Sequence, residues 1–550
     1  MGRRVQGEKG AIEGPNLGVM KHRSEAETIE TRKGSTDRLG VYGGLGLVAL
    51  SFLLQLPLVR FPETDAFYHL RHASVYAQEG LLHGEFPWHT QSLVGDLGAD
   101  LWYGFHLALI PFSWIPDPML SLRVASAASL AFLLLSFFWL ARRTSLPMPM
   151  LWPVLLIGCS PPETWRWLGM RPFLVSLGLA SFLMLFALRG RRAPIALLSG
   201  GISFAHASFF WLGPAIALCV FVATSILERK RDFALPLLAI AGALAGLILR
   251  PNGWDVFPLL KAQLIDLGTL LRTSQFVSFG GEIYSLIKLG KHAVFLPFLA
   301  LWLFAILFVW ARAQASWRSA RPEWRIAFAA TFPLALVFAA MSFFQTHRAA
   351  EPWVFFAVLS VGLTFAIAVP SVAAAQPAST PRRTLVGFAG ASLLLSGASF
   401  GISHKSINDS GFNLYRLEPA MTWLSQNSAP GDIVYHTDWG LFAEMFFWNT
   451  HNHYITGMDP IFLYAHDRRR FWQFTGIELD VMTSQVIASA PDRQPVPEDT
   501  FTVMRRDFGA RFALVCAEYT PRFLAYLRSD PRFREVFESP AATVFELAGK

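Results

Sequence analysis

The stretch Phe61-Pro62-Glu63-Thr64-Asp65-Ala66-Phe67-Tyr68-His69-Leu70-Arg71-His72-Ala73 crowds carboxylates, imidazoles and a guanidinium among aromatic residues. A carboxylate such as Asp65 in that company can hold a divalent metal or take a proton from a substrate hydroxyl. The alternative is an ordinary solvated loop acid. His69 and Arg71 on the same stretch are candidate substrate contacts. A second stretch, Pro161-Pro162-Glu163-Thr164-Trp165-Arg166-Trp167-Leu168-Gly169-Met170-Arg171-Pro172, carries Glu163, Arg166 and Arg171. Guanidinium groups match phosphate with paired hydrogen bonds, so the two arginines read as a phosphate clamp; interfacial snorkelling is the competing reading. In Val277-Ser278-Phe279-Gly280-Gly281-Glu282, the acid can position substrate or complete a metal site with Asp65, unless it only caps a helix. Gln345-Thr346-His347-Arg348 closes an apolar run, which makes Arg348, with His347 beside it, a ligand for an anionic lipid phosphate or a headgroup anchor. His206 lies near the end of another apolar run, where a polar group is functional or internally hydrogen-bonded. Asp438 and Trp439 in His436-Thr437-Asp438-Trp439-Gly440 follow a strand-like run and either contact substrate or pack two parts of the chain together. His451 and His453 alternate without a carboxylate partner, a poor metal set. No P-loop or nucleophile elbow is present.

These residues are distributed over a chain built for lipid. Of 550 residues, 53% are hydrophobic and only 16% charged, where a soluble protein carries about 25%. The apolar residues gather into runs near the ~20 residues needed to cross a bilayer. Runs this continuous mean helices, since lipid leaves no other way to satisfy the backbone. About eleven spans are expected, at 41–60, 120–141, 148–162, 172–189, 193–209, 211–227, 234–250, 293–311, 326–343, 353–372 and 385–402. The net charge of +8 resides mostly in short clusters beside these runs, so nucleic acid is not an expected partner. Arg142-Arg143, Arg189–Arg192, Arg229–Arg231, Arg312–Arg325 and Arg382-Arg383 all fall after even-numbered spans. The positive-inside rule therefore puts the N-terminus in the cytoplasm and the candidate residues outside. Residues 1–39 read as a disordered cytoplasmic tail. Residues 40–402 form the membrane domain, with a large first outer loop at 61–119, and 403–550 form a small extracytoplasmic (periplasmic) α/β domain. Within the first loop, Leu101–Phe112 is apolar and aromatic but too short to span, as in a helix lying at the interface. Strands are expected at 433–435, 512–515 and 542–547. Cys159, Cys219 and Cys516 sit in apolar surroundings and read as buried thiols.

The acid followed by Tyr68-His69-Leu70-Arg71, and the long first loop with its apolar helix, resemble the oligosaccharyltransferase catalytic subunits of the GT-C class. That resemblance implies a polytopic α-helical, GT-C-like membrane protein and a metal-binding, acceptor-activating role for Asp65. It also implies a divalent ion (Mg or Mn) shared with Glu163 and Glu282. The second loop departs from the family pattern: Arg166 is kept, but Met170 and Arg171 stand where two acids are expected. The chain is also similar to bacterial multi-pass glycosyltransferase-like proteins, through His206-Ala207-Ser208-Phe209, Pro251-Asn252-Gly253, Glu282 and Trp439-Gly440 in that order. The implied activity is transfer of a sugar from a polyprenyl-phosphate donor to a glycan, lipid or protein acceptor outside the plasma (inner) membrane. Asp65 and Glu282 would be catalytic, and Arg166, Arg171, His347 and Arg348 would hold phosphate. A non-catalytic scaffold binding a lipid-linked glycan or envelope partner is the alternative. A transporter would show mid-span charges and a repeat, and neither is evident.

Overall fold

The computed structural model describes residues 38, 40–273, 279–368, 380–478 and 498–549. Apart from Arg38, the expected tail at 1–39 lies outside the described residues, as do Val277, Ser278 and the end of the span placed at 353–372. Five helices are long and apolar enough to cross a membrane: Pro118–Arg143, Ala207–Leu227, Pro322–Phe344, His347–Ala368 and Arg383–Ser410. Two bent pairs bring the number to as many as seven by length and composition among the described residues. The expected eleven spans are therefore not matched. Several apolar runs fold into shorter pieces, including Gly40–Gln55, Arg192–Ala205 and His292–Leu307. The expected span 148–162 is not one helix: Leu151–Ile157 ends at Gly158, and Ser160 caps a new helix beginning at Pro161.

Both bends follow from local sequence. Between Pro161–Leu168 and Pro172–Leu188 the chain turns by 96°. Pro172 disfavours the helical region for the residue before it, and Arg171 is accordingly extended (φ −118°, ψ 141°). Between Ala234–Ile248 and Gly253–Arg272 it turns by 110°, through Pro251 and a left-handed Asn252 at φ 51°. Close packing supports the shorter helices. A Cβ added at Gly242 or Gly246 would lie 2.1 Å from the backbone oxygen of Ala196 or Gly200, the near approach that small residues four apart permit. His347–Ala368 is the central post, buried throughout Ala350–Ala368, with Trp353 ringed by Phe295, Phe298, Trp302 and Phe343.

Two helices of the first loop matter for the site: α1 (Asp65–Glu79) and α2 (Tyr103–Ser113). They pack on each other through Phe67, Leu70, Phe105 and Leu109. The last apolar helix runs on to Ser410, past the expected domain boundary at 403. Beyond it, β1 (Ile433–His436), β2 (His453–Tyr454), β3 (Phe512–Val515), β4 (Phe533–Glu538) and β5 (Thr543–Leu547) form one sheet in the order β2-β1-β3-β5-β4. β1 is parallel to β2 and β3, while β5 is antiparallel to β3 and β4. The first loop is joined to the sheet's β2 edge: Tyr454 N–H donates to Trp88 O at 2.9 Å, and Thr90 N–H donates to Tyr454 O at 2.9 Å. Pairing a strand edge in this way satisfies groups that would otherwise be exposed.

Candidate active site

The 96° bend brings Arg166, at the end of one helix, and Arg171, just before the next, beside the start of α1. Arg171 reaches both oxygens of Glu63 and also Asp65. Arg166 donates from Nη1 to Glu282 Oε2 at 2.8 Å and from Nε to Glu351 Oε1 at 2.6 Å. Arg348 donates from Nε to Glu282 Oε1 at 2.8 Å. Three guanidinium groups thus interlock with four carboxylates, the acids coming from three segments of the chain. The Glu282 segment is held to the central post, since Thr346 Oγ1 donates to Glu282 O at 2.9 Å and His347 N–H to Tyr284 O at 2.8 Å. The cluster lines a cavity of about 630 Å³ that also receives Trp439 and Asp459 from the C-terminal domain, and Val294 and Ile402 from two apolar helices. A smaller cavity of about 100 Å³ lies behind it, lined by Asp65, His69 and His206 among others.

Charge in this cluster is strongly conditioned. Burial opposes ionisation of Glu282, but Arg348, Arg171 and Arg166 outweigh it and hold the carboxyl well below the usual range. Burial raises Glu63, with Arg171 pulling against it. Asp459 is pushed up to about 6 by burial, partly offset by Arg348. Its Oδ2 has no hydrogen-bond partner among the described residues.

The expected site residues separate into groups. Asp65, Arg166, Arg171, Glu282 and Arg348 share the large cavity, and His69 and His206 share the smaller one. Glu163 does not join Asp65 and Glu282: it is fully buried and accepts from His347 Nε2 at 3.0 Å. His347, 2% exposed, gives its Nε2 to that contact and also lines the large cavity. The metal set expected from Asp65, Glu163 and Glu282 is therefore not assembled. The carboxylates that do converge are neutralised by guanidinium groups, a donor environment that does not fit a divalent ion. Arg71 turns away and donates to Thr450 Oγ1 at 3.0 Å, tying α1 to the C-terminal domain. Asp438 caps a turn by accepting from Gly440 N–H at 2.7 Å, and only its neighbour Trp439 lines the cavity. The sequence reading missed Asp459 and Glu351. Glu351, an acid inside an apolar run, carried its own signal. Asp459 follows Met458, a non-glycine residue at φ 67°, and only the backbone shows that strain. All three cysteines are unpaired, Cys159 and Cys516 buried and Cys219 partly so.

No protein-family model and no curated protein sequence matches the chain. Among solved structures, ArnT from Cupriavidus metallidurans in the apo state is similar with a TM-score of 0.53 and 12% identity, over 94% of this chain and 100% of that one. The arabinofuranosyltransferase AftD from Mycobacteria is similar with a TM-score of 0.50 and 13% identity, over 92% of this chain but 40% of its own length. At these identities the likeness establishes the fold alone: this chain shares with both structures a helical architecture of several apolar helices, followed here by a small C-terminal sheet.

Proposed function

We propose that the chain is a membrane glycosyltransferase that moves a sugar from a polyprenyl-phosphate donor to an extracytoplasmic acceptor. The observation that carries this reading is the convergence of Arg166, Arg171 and Arg348 with Asp65 and Glu282 on one cavity flanked by apolar helices. Val294 and Ile402 offer an apolar wall for a lipid tail, and the guanidinium groups offer phosphate partners. An acceptor hydroxyl would attack the anomeric carbon as its bond to the phosphate oxygen breaks, with that bond's electron pair leaving on the phosphate. Negative charge then grows where the arginines already stand, so no reorganisation is needed as the barrier is crossed. Asp65 takes the hydroxyl proton, and Asp459, with its free oxygen, is a further carboxylate within the same cavity.

The sidedness expected from the sequence has structural support. The helix Pro322–Phe344 starts where Arg321 and Arg325 meet Ser145 and Glu228, and ends just before Arg348 at the cavity. Basic ends and cavity therefore lie at opposite ends of one helix, as the positive-inside rule requires for an outer site. The non-catalytic scaffold has one observation in its favour: every cavity arginine is already matched by a carboxylate. Mass spectrometry of lipids that copurify with the protein, followed by transfer assays with the polyprenyl-phosphate sugar found, decides between them. Asp65→Ala at normal abundance should lose transfer by about 100-fold or more. Unchanged transfer would remove Asp65 from the mechanism, and a protein that carries the lipid yet never transfers would favour the scaffold.

A further inference from the structure

Behind the cavity, α1 and α2 enclose a second polar cluster that the transfer reaction does not use. His72 on α1, His106 on α2 and Asp100 just before α2 are 4%, 0% and 6% exposed. One donor atom from each lies within 4.8 Å of the others. Their remaining atoms are already committed. His106 Nε2 meets His69 Nδ1 at 2.8 Å, and His72 Nδ1 meets Tyr68 Oη at 2.9 Å. Asp100 Oδ1 accepts from Trp102 N–H at 2.8 Å, and Tyr76 Oη donates to Asp100 Oδ2 at 3.1 Å. What is left is His106 Nδ1, 2.6 Å from Asp100 Oδ2, and His72 Nε2, which has no hydrogen-bond partner among the described residues. A void of about 10 Å³ adjoins His72 and Asp100, lined also by Tyr68 and Trp102, about the space of a single water.

Histidines that ligate metals characteristically have their far nitrogen fixed by a carboxylate, a carbonyl or another polar group, and both of these do. The carboxylate also lacks a full counter-charge. The nearby guanidinium, Arg250, donates from Nη1 to the backbone oxygen of Asp100 at 2.8 Å and not to its side chain. We propose that His72, His106 and Asp100 bind one divalent transition cation of the zinc class, a staple that fixes α1 to α2 and thereby sets the position of Asp65, at the start of α1. Two imidazoles and one carboxylate suit zinc rather than magnesium or manganese, which prefer all-oxygen sites. The ion replaces the proton shared by His106 and Asp100, and small side-chain rotations close the set, with a water in the void as fourth ligand.

The test uses full-length protein purified in detergent without a polyhistidine tag, stripped with a strong chelator and dialysed against zinc or cobalt(II) alone. Wild type should retain about one metal per chain by mass spectrometry, and cobalt should give the visible absorption of a tetrahedral nitrogen–oxygen site. His72→Ala/His106→Ala should retain less than roughly a tenth of that, while Glu282→Gln, in the arginine cluster, should retain all of it. Monodisperse wild type that takes up neither ion overturns the proposal, as does a double variant that binds like wild type. If the double variant does not fold, His72→Gln supplies the comparison, because its amide can still meet Tyr68.

Discussion

Two polar clusters share helix α1 and balance buried carboxylates in different ways. At its start, Glu63 and Asp65 are neutralised by Arg171, and Glu282 by Arg166 and Arg348, charges that are part of the chain and permanently present. Two turns further on, beside His72, the Asp100 carboxylate meets the imidazole of His106, the hydroxyl of Tyr76 and the backbone N–H of Trp102, with no guanidinium on it among the described residues. The first cluster can exchange a carboxylate for a phosphate, because guanidinium receives both in the same bidentate geometry. The second can exchange a proton for a metal ion. One helix thus carries an anion-receptive start and a cation-receptive middle, and side-chain type sets which is which.

The comparison breaks most visibly at Glu282, which three guanidinium groups share. Glu282→Ala leaves buried positive charge unmatched and should destabilise the protein by about 3–5 kcal/mol, read as a lower thermal midpoint in detergent. An unchanged midpoint would mean that water already screens the cluster. A smaller effect sharpens the boundary between cavity and sheet. Asp459 has a folded pKa of about 6 against an ordinary value of 3.8, so the folded state holds the proton more tightly than the unfolded chain. Stability should therefore fall as pH rises from 3.8 through about 6. In Asp459→Asn that part of the pH dependence should disappear from the midpoint-against-pH curve. The smallest effect is expected at Asp438, a turn cap outside the cavity: Asp438→Ala should cost about 1 kcal/mol and leave lipid binding intact. Loss of binding would return Asp438 to the ligand site.

Much of the scaffold could be read along the chain. Apolar run length marked Pro118–Arg143, Pro322–Phe344 and Arg383–Ser410, because lipid imposes length and hydrophobicity on each helix separately. The strands at 433–436, 512–515 and 543–547 stood out for the same kind of reason, a short buried run between turns. The eleven-span count is not confirmed among the described residues, where that logic stops applying. Arg192–Ala205 needs the glycines of Ala234–Ile248 as its packing partner, and the run at 148–162 is broken by Gly158 and restarted at Pro161. Asp65, Arg166, Arg171 and Arg348 were found as residue types beside apolar runs, but nothing local assigned their partners.

By itself the sequence determined a helical membrane chain with a small terminal α/β domain, and it marked acids and arginines at the ends of apolar runs. Only the tertiary structure decided which charges meet. Glu163 pairs with His347 across 184 residues, and Arg166 with Glu351 across 185. Asp459 reaches the cavity from beyond the last apolar helix, and His72, Asp100 and His106 close on one point behind it. The physical reason is range. Hydrophobic run length acts on each segment independently, whereas a buried charge must find its complement wherever folding brings one.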